Sequence, residues 1–518
     1  MDRLSPDVLV IGGGATGAGV AWDAALRGLD VVLVERGDLA TGTSGRFHGL
    51  LHSGGRYAVK DPSAADECAR ENTIVRHVAA DCIEDTGGLF VTTQFDDPAY
   101  ADRFIEGCQE TGVPCEEIEP AQALREEPRL NPRISRAFRV PDASIDVWKL
   151  VWALSRAAQE RGARVLPYHE VVAVHRDGDR VHGCRVRNAR TGDELDIEAR
   201  ITVAAAGAWA GRIAELAGVE GVHVLPGRGI MIAMNHRLVN TVVNRCKMPA
   251  DGDIIVPIRT VSVIGTTDQH TDDPDDHTVL QAEVDAMLED GERLIPGFKQ
   301  ARALRVWTGV RPLFEDRKEG DSSETRDVTR SHALLDHQKR DGVSGFLTIT
   351  GGKLTTYRLM AQDAVDAVCH QLGEWRQCTT AAERLPGSEA GDYYHVGERL
   401  GRREQHLLDD QLVCECELVP RRRVEEAIRQ RGTTDLDDIR RLLRLGMGPC
   451  QGGVCIYRAA GILHSLDGID TPTANAALLN YVSERWRGVW PILYGDQLRQ
   501  ARLDEWVFQG ILDVEHLP

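Results

Sequence analysis

The sequence predicts an α/β chain in which a doubly wound parallel-sheet unit interleaves with an α+β unit over residues 1–375. A linker over 376–402, a small helical module over 403–475 and a helical tail over 476–518 are expected to follow. Three observations predict this. A buried strand runs directly into a glycine-rich turn and a helix at the start. Two more apolar strands run into glycines far along the chain, and four of the 12 cysteines are grouped near the end.

Composition narrows the function classes. At 518 residues the chain exceeds what one core usually serves, so several packed units are expected. Hydrophobic residues at 42% and charged residues at 27% are globular values, which argues against disorder. Eighty acidic against 61 basic residues leave a net charge of −19, which repels nucleic acid and makes it an unlikely partner class. An anionic ligand therefore needs a local cluster of cations. No apolar run reaches the roughly 18 residues of a membrane span, and the first strand begins almost at once, leaving no signal peptide. The expected location is the cytoplasm, or the cytoplasmic membrane face through partner subunits. Cysteines in such a compartment are not a disulfide framework.

The elements follow in order. Asp7 to Ile11 reads DVLVI, a short buried strand, and Gly12-Gly13-Gly14-Ala15-Thr16-Gly17 gives the spacing G-x-G-x-x-G before an alanine-rich helix to about Arg27. Gly12 permits the tight turn, Gly14 lets backbone approach a pyrophosphate, and Gly17 lets helix and strand pack closely. The helix N-terminus then offers its unpaired N–H groups to the phosphates. A second strand, VVLVE, ends in Glu35, where an adenosine ribose is expected to bind, and this acid disfavours NADP. The later segments Val203 to Trp209 and Phe346 to Lys353 are strands that can return to the nucleotide sheet, which favours the longer ligand FAD over NAD.

Residues 40 to 57, reading ATGTSGRFHGLLHSGGRY, resemble the flavin-proximal loop of the FAD-dependent glycerol-3-phosphate dehydrogenases. Four more matches follow in order: Ile264 to Asp268, Gly309 to Pro312, Thr325 to Asp327, and Gly351 to Arg358. With the C-terminal cysteines, the resemblance is to the anaerobic branch of that family. It implies a D-amino-acid-oxidase-like fold with a Rossmann-type FAD unit, and oxidation of sn-glycerol 3-phosphate to dihydroxyacetone phosphate. Implied flavin contacts are Gly12, Gly14, Ala15, Thr16, Gly17, Glu35, Arg36, Thr43, Ser44, Val171, Gly207, Gly352, Lys353 and Leu354. In that branch the catalytic chain works with partners that carry electrons to membrane quinone.

Residue chemistry points the same way. Arg56, Arg311, Arg326 and Lys353 lie beside glycines or turn residues, where charge-assisted N–H donors can grip a phosphate. Arg311 and Arg326 are expected on the substrate, with Arg56 and Lys353 nearer the flavin. The substrate hydroxyl must lose a proton while hydride passes to the flavin, and His48, His52 and Tyr57 are the candidate acceptors by residue type. Arg311 joins them as a catalytic candidate. The aerobic branch places a histidine in the segment where this chain has Gly229, so that role is filled differently here.

From Leu385 to Arg402 the periodicity fades and glycines collect, which reads as linker. Cys414 and Cys416 then form C-x-C, and after 33 intervening residues Cys450 and Cys455 form C-x4-C. Helical spacing fills Arg421 to Gln430 and Leu436 to Leu445 between them. Four thiolates in two close pairs suit zinc or an iron–sulfur cluster. The tight C-x-C with a glycine-rich C-x4-C resembles the bacterioferritin-associated-ferredoxin-like [2Fe–2S] domain, and a flavin that takes two electrons together has use for a one-electron neighbour. The tryptophan-rich tail is read as core packing or as a docking surface. Competing functions are a related amine or hydroxy-acid dehydrogenase, and a redox-sensing module without turnover.

Overall fold

Four consecutive apolar residues bury the strand Val8–Ile11 on both faces, as a central parallel strand requires. The computed structural model describes residues 3–314, 331–405, 410–466 and 468–516. Val8–Ile11 sits inside a six-stranded sheet whose order is Arg164–Leu166, Val31–Val34, Val8–Ile11, Ile201–Ala204, Phe346–Gly351 and His332–Asp336. All neighbours are parallel except the last pair. Both strands expected to return from far along the chain therefore join this sheet, one beside the other. The helix Ala15–Leu26 packs against the helices Val147–Glu160 and Tyr357–Leu372 in one apolar core.

A second, nine-stranded mixed sheet forms the interleaved unit. Its long antiparallel pair, Val224–Met234 with Ala303–Phe314, sets Gly229 opposite Gly309 and Gly227 opposite Arg311. The hairpin Ile254–Ile258 with Val261–Gly265 lies in the same sheet and turns through Arg259 and Thr260. Arg259 takes a positive φ of 52° there.

The C-terminal region is helical, apart from a short pair of strands, Leu412–Cys414 and Val419–Pro420. The expected helices appear as Arg421–Arg431 and Leu436–Leu443, followed by Cys455–His464, Thr471–Val489 and Gly495–Glu505. Among the described residues no helix is long and apolar enough to cross a membrane.

The segment expected as linker is packed rather than loose. The Leu385 and Tyr394 N–H groups donate to Val78 and Ile83, Leu385 is buried in the first core, and the segment's end is the helix Val396–Glu404. Fading periodicity marked an irregular stretch that docks by single residues. The expected break between module and tail at residue 475 falls inside Thr471–Val489, because Ala477, Leu478, Tyr481, Phe508 and Val514 share one core with the cysteine-bearing elements. Arg326 and the Thr325 to Asp327 motif lie outside the described residues.

Candidate active site

The glycine turn is tight because its atoms leave no room for side chains. Gly12 has φ +115° and a Cβ there would stand 2.5 Å from the Ala205 carbonyl oxygen; one on Gly17 would stand 1.9 Å from the Gly12 oxygen. The Ser44 hydroxyl accepts from the Ala15 N–H at 3.0 Å, so the loop after the second strand caps the helix opened by the turn. Glu35 accepts from the N–H groups of Gly13 at 2.7 Å and Gly37 at 3.0 Å. Burial pushes its carboxyl above the ordinary range, against those two bonds.

A cavity of about 860 Å³ opens from this turn. Its lining includes Gly12, Gly14, Ala15, Thr16, Glu35, Arg36, Thr43, Ser44, Val171, Gly207, Gly352 and Leu354, together with His48, His52, Arg56, Tyr57, Arg311 and Lys353. Thus the expected flavin residues and, of the expected substrate residues, Arg56, Arg311 and Lys353 face one continuous space, with Gly17 one layer behind in the turn and Arg326 outside the described residues. Arg36 lies at the exposed rim, stacked 4.3 Å over Trp209 and paired with Asp275 at 2.8 Å. The Thr43 hydroxyl donates to the Val310 carbonyl at 2.5 Å and ties this loop to the second sheet.

The far end of the cavity is basic and aromatic. Arg311 donates to Asp268 at 2.6 Å, to the Thr266 hydroxyl at 2.5 Å and to the Thr267 carbonyl at 2.7 Å, so its fork is held by the Thr266 to Asp268 turn. Arg56 pairs with buried Asp253 at 2.8 Å; burial opposes its charge, but Asp253 and nearby groups raise its pKa above the usual value. The Lys353 ammonium lies 5.1 Å from the Tyr57 ring centroid. His52 stands between His48 and Tyr57, with ring centroids 5.9 Å and 5.3 Å away.

His48 can be assigned a tautomer. Its Nδ1 accepts from the Leu50 N–H at 3.2 Å, and since a backbone N–H only donates, the neutral ring carries its proton on Nε2. Burial first, then Arg56 and Arg311, lowers its pKa to about 3. The ring is neutral across the physiological range. Gly229 also finds its reason, because a Cβ there would meet the Thr267 oxygen at 2.3 Å and Arg311 Nη2 at 2.9 Å. The space a side chain would take at this position is filled by the Arg311 fork.

Thr266, Asp268 and Asp253 were not singled out from the sequence. The first two lie inside a matched motif, which was the available signal, whereas Asp253 carries none.

The four module cysteines form a ring. Cys414 and Cys416 sulfurs are 3.6 Å apart, Cys414 also meets Cys455, and Cys450 meets both Cys416 and Cys455. The bonds from Cys416 and Cys455 hold Cys414 down to about 3, while Cys416 and Cys455 are themselves pushed far up. Adjacent sulfurs cannot all ionise without a cation among them, which is what iron would supply. Backbone N–H groups of Glu417 and Gly446 point at Cys414, and those of Gly452 and Val454 at Cys450.

The module docks on the flavin side of the chain through buried charge. Asp38 pairs with Arg441 at 2.8 Å and with Arg431, and Asp438 pairs with Arg190 at 2.9 Å and accepts from Tyr168 at 2.5 Å. The hairpin spans both sites. At its base Gly265 packs on His48, next to the turn Ile258 packs on Gly49, and at its tip Arg259 reaches Glu417, next to Cys416, at 3.9 Å.

Comparison with known proteins agrees with this geometry. Residues 7–358 match the family model "FAD dependent oxidoreductase", and residues 412–465 match "BFD-like [2Fe-2S] binding domain". The chain is 44% identical to one of the subunits of the anaerobic glycerol-3-phosphate dehydrogenase of Escherichia coli K12, over 99% of this chain and 98% of that relative. It is 43% identical to the corresponding chain of the anaerobic glycerol-3-phosphate dehydrogenase of Haloferax volcanii, over 100% of this chain and 92% of that one. Among solved structures, the FAD complex of glycerol-3-phosphate dehydrogenase from Bacillus halodurans superposes with a TM-score of 0.60 at 23% identity, covering 98% of this chain and 95% of its own. At that identity the likeness speaks for the fold.

Proposed function

Because the chain belongs to the FAD-dependent oxidoreductases, in the anaerobic glycerol-3-phosphate dehydrogenase branch that carries a [2Fe–2S] module, we propose that it oxidises sn-glycerol 3-phosphate to dihydroxyacetone phosphate. The observation that carries this reading is the cavity wall. In a protein of net charge −19, Arg56, Arg311 and Lys353 converge on the same space as a glycine cradle built for a dinucleotide.

The residues fit both groups: the Gly12 to Gly17 turn and Glu35 would hold FAD, and the ring of Cys414, Cys416, Cys450 and Cys455 would hold the cluster. When bound, FAD takes the hydride of the substrate carbon, and the cluster passes electrons on singly. The protein binds, orients and moves the proton. Arg311, oriented by Asp268 and Thr266, grips the substrate phosphate in this reading, and Lys353 sits toward the flavin end. His48, with Nδ1 engaged and Nε2 protonated, donates a hydrogen bond to the substrate oxygen as it loses its proton. That leaves His52 or Tyr57 as the proton acceptor.

Electrons leave toward quinone through partner subunits, which would also bring the chain to the membrane face. Exposed Trp490 and Trp506, at 68% and 63%, support a docking role for part of the tail, while Tyr481 and Phe508 pack in the core. Anaerobic mixing of the purified protein with sn-glycerol 3-phosphate should bleach the flavin and then the cluster spectrum. A flavin that stays oxidised with this substrate but is reduced by an amine or a hydroxy acid would overturn the assignment.

A further inference from the structure

We infer that the Thr260 hydroxyl, carried on the hairpin from the flavin side, donates a hydrogen bond to sulfur at the Cys416 side of the cluster and raises its reduction potential. Thr260 Oγ1 is buried and has no hydrogen-bond partner among the described residues. Both that oxygen and Cys416 Sγ lie within 3.1 Å of the point where a Cβ on Gly448 would stand. Gly448 thus leaves open a gap that a larger residue would fill, and the hydroxyl and the sulfur face each other across it. A buried hydroxyl left unpaired is costly, so its isolation from acceptors among the described residues points to a partner beyond them, at the sulfur it faces.

The position is enforced by its neighbour. Arg259 is fixed by Asp146 at 3.2 Å, by Glu417 at 3.9 Å and by stacking 3.6 Å over Tyr394, so the turn cannot swing Thr260 away from the ring. A donor to cluster sulfur stabilises the reduced, more negative form and raises the potential. Thr260 acts in this as a positioning residue for electron transfer, without touching the substrate.

The inference rests on the four thiolates holding a [2Fe–2S] cluster, and the test separates the two. Wild-type protein without stoichiometric iron and acid-labile sulfide would sink that underlying reading. With both present, Thr260→Val keeps the shape, removes the donor, and should lower the equilibrium constant for one-electron reduction of the cluster about tenfold, which is about 59 mV for such a couple. The midpoint is read by redox titration with electron paramagnetic resonance, and the flavin midpoint should not move. Thr260→Ser restores the donor and should return the potential toward the wild-type value. An unmoved potential in Thr260→Val overturns the inference. So does a serine variant displaced as far as the valine one; if the valine variant loses its iron, Thr260→Ala, which also lacks the donor, takes its place, and an unmoved potential there overturns the inference.

Discussion

At the scale of single residues, His48 makes the sharpest claim. A ring neutral down to about pH 3 whose Nδ1 is already engaged is a donor rather than a base. His48→Leu, which removes the donor, should lower kcat by about 100-fold, the usual cost of one donor to developing negative charge, and leave the acid limb of the pH–rate profile in place. Disappearance of that limb would make His48 the base. The same depressed pKa bears on stability: the unfolded ring takes a proton below about 6.5 and the folded one does not. Stability from this group is therefore complete above pH 6.5 and drains away as the pH falls toward 3. His48→Gln should flatten that part of a melting-temperature profile. Arg311→Lys keeps the charge but loses the fork held by Asp268 and Thr266, and should raise the KM for glycerol 3-phosphate about 10- to 100-fold, equivalent to about 1.5–3 kcal/mol. Wild-type kinetics in that variant would move the phosphate site elsewhere. These residues could be nominated from the sequence by type and neighbourhood. Their roles could not, because Asp253 or the Leu50 N–H becomes a partner only through folding.

At the scale of elements, the steric need for glycine at Gly12 and Gly17 was legible, since a side chain at either would meet backbone. Gly12→Ala places a methyl group 2.5 Å from a backbone oxygen at a φ that alanine resists, so the returning strand must move. A loss of about 1–3 kcal/mol in stability and poor retention of FAD are expected, measured by melting and by flavin content after gel filtration. Cys450→Ser should remove iron and sulfide while flavin stays bound, because the ring and the glycine turn share no residue. Retained sulfide in that variant would remove Cys450 from the ligand set. The packed stretch 376–402 was not legible. It docks by isolated anchors such as Leu385 and Tyr394, and a pattern needs repetition before it can be read.

For the whole molecule, the two sites are joined by a hairpin of about 14 Å per strand, at roughly 3.4 Å per residue, and by a buried ionic seam. Asp38→Ala would remove one of the two buried carboxylates, Asp38 and Asp438, that Arg431 and Arg441 share, in a seam where Asp38 is 1% exposed. A penalty of about 3–5 kcal/mol is expected. The module should then loosen, which hydrogen exchange over 421–443 would detect, and the cluster should be reduced more slowly than the flavin. Unchanged exchange there would mean that the hairpin and the apolar contacts hold the module unaided. The six-stranded sheet carries a different consequence, for synthesis. Its strand Ile201–Ala204 lies between Val8–Ile11 and Phe346–Gly351, so a ribosome must add some 340 residues after the first strand before the sheet can close. At about 5–20 residues per second this takes roughly 20–70 s, and for roughly the last 7–30 s of it one flank of Ile201–Ala204 has no mate. The nascent chain must be shielded over that interval, and stable flavin loading waits until translation has passed residue 351.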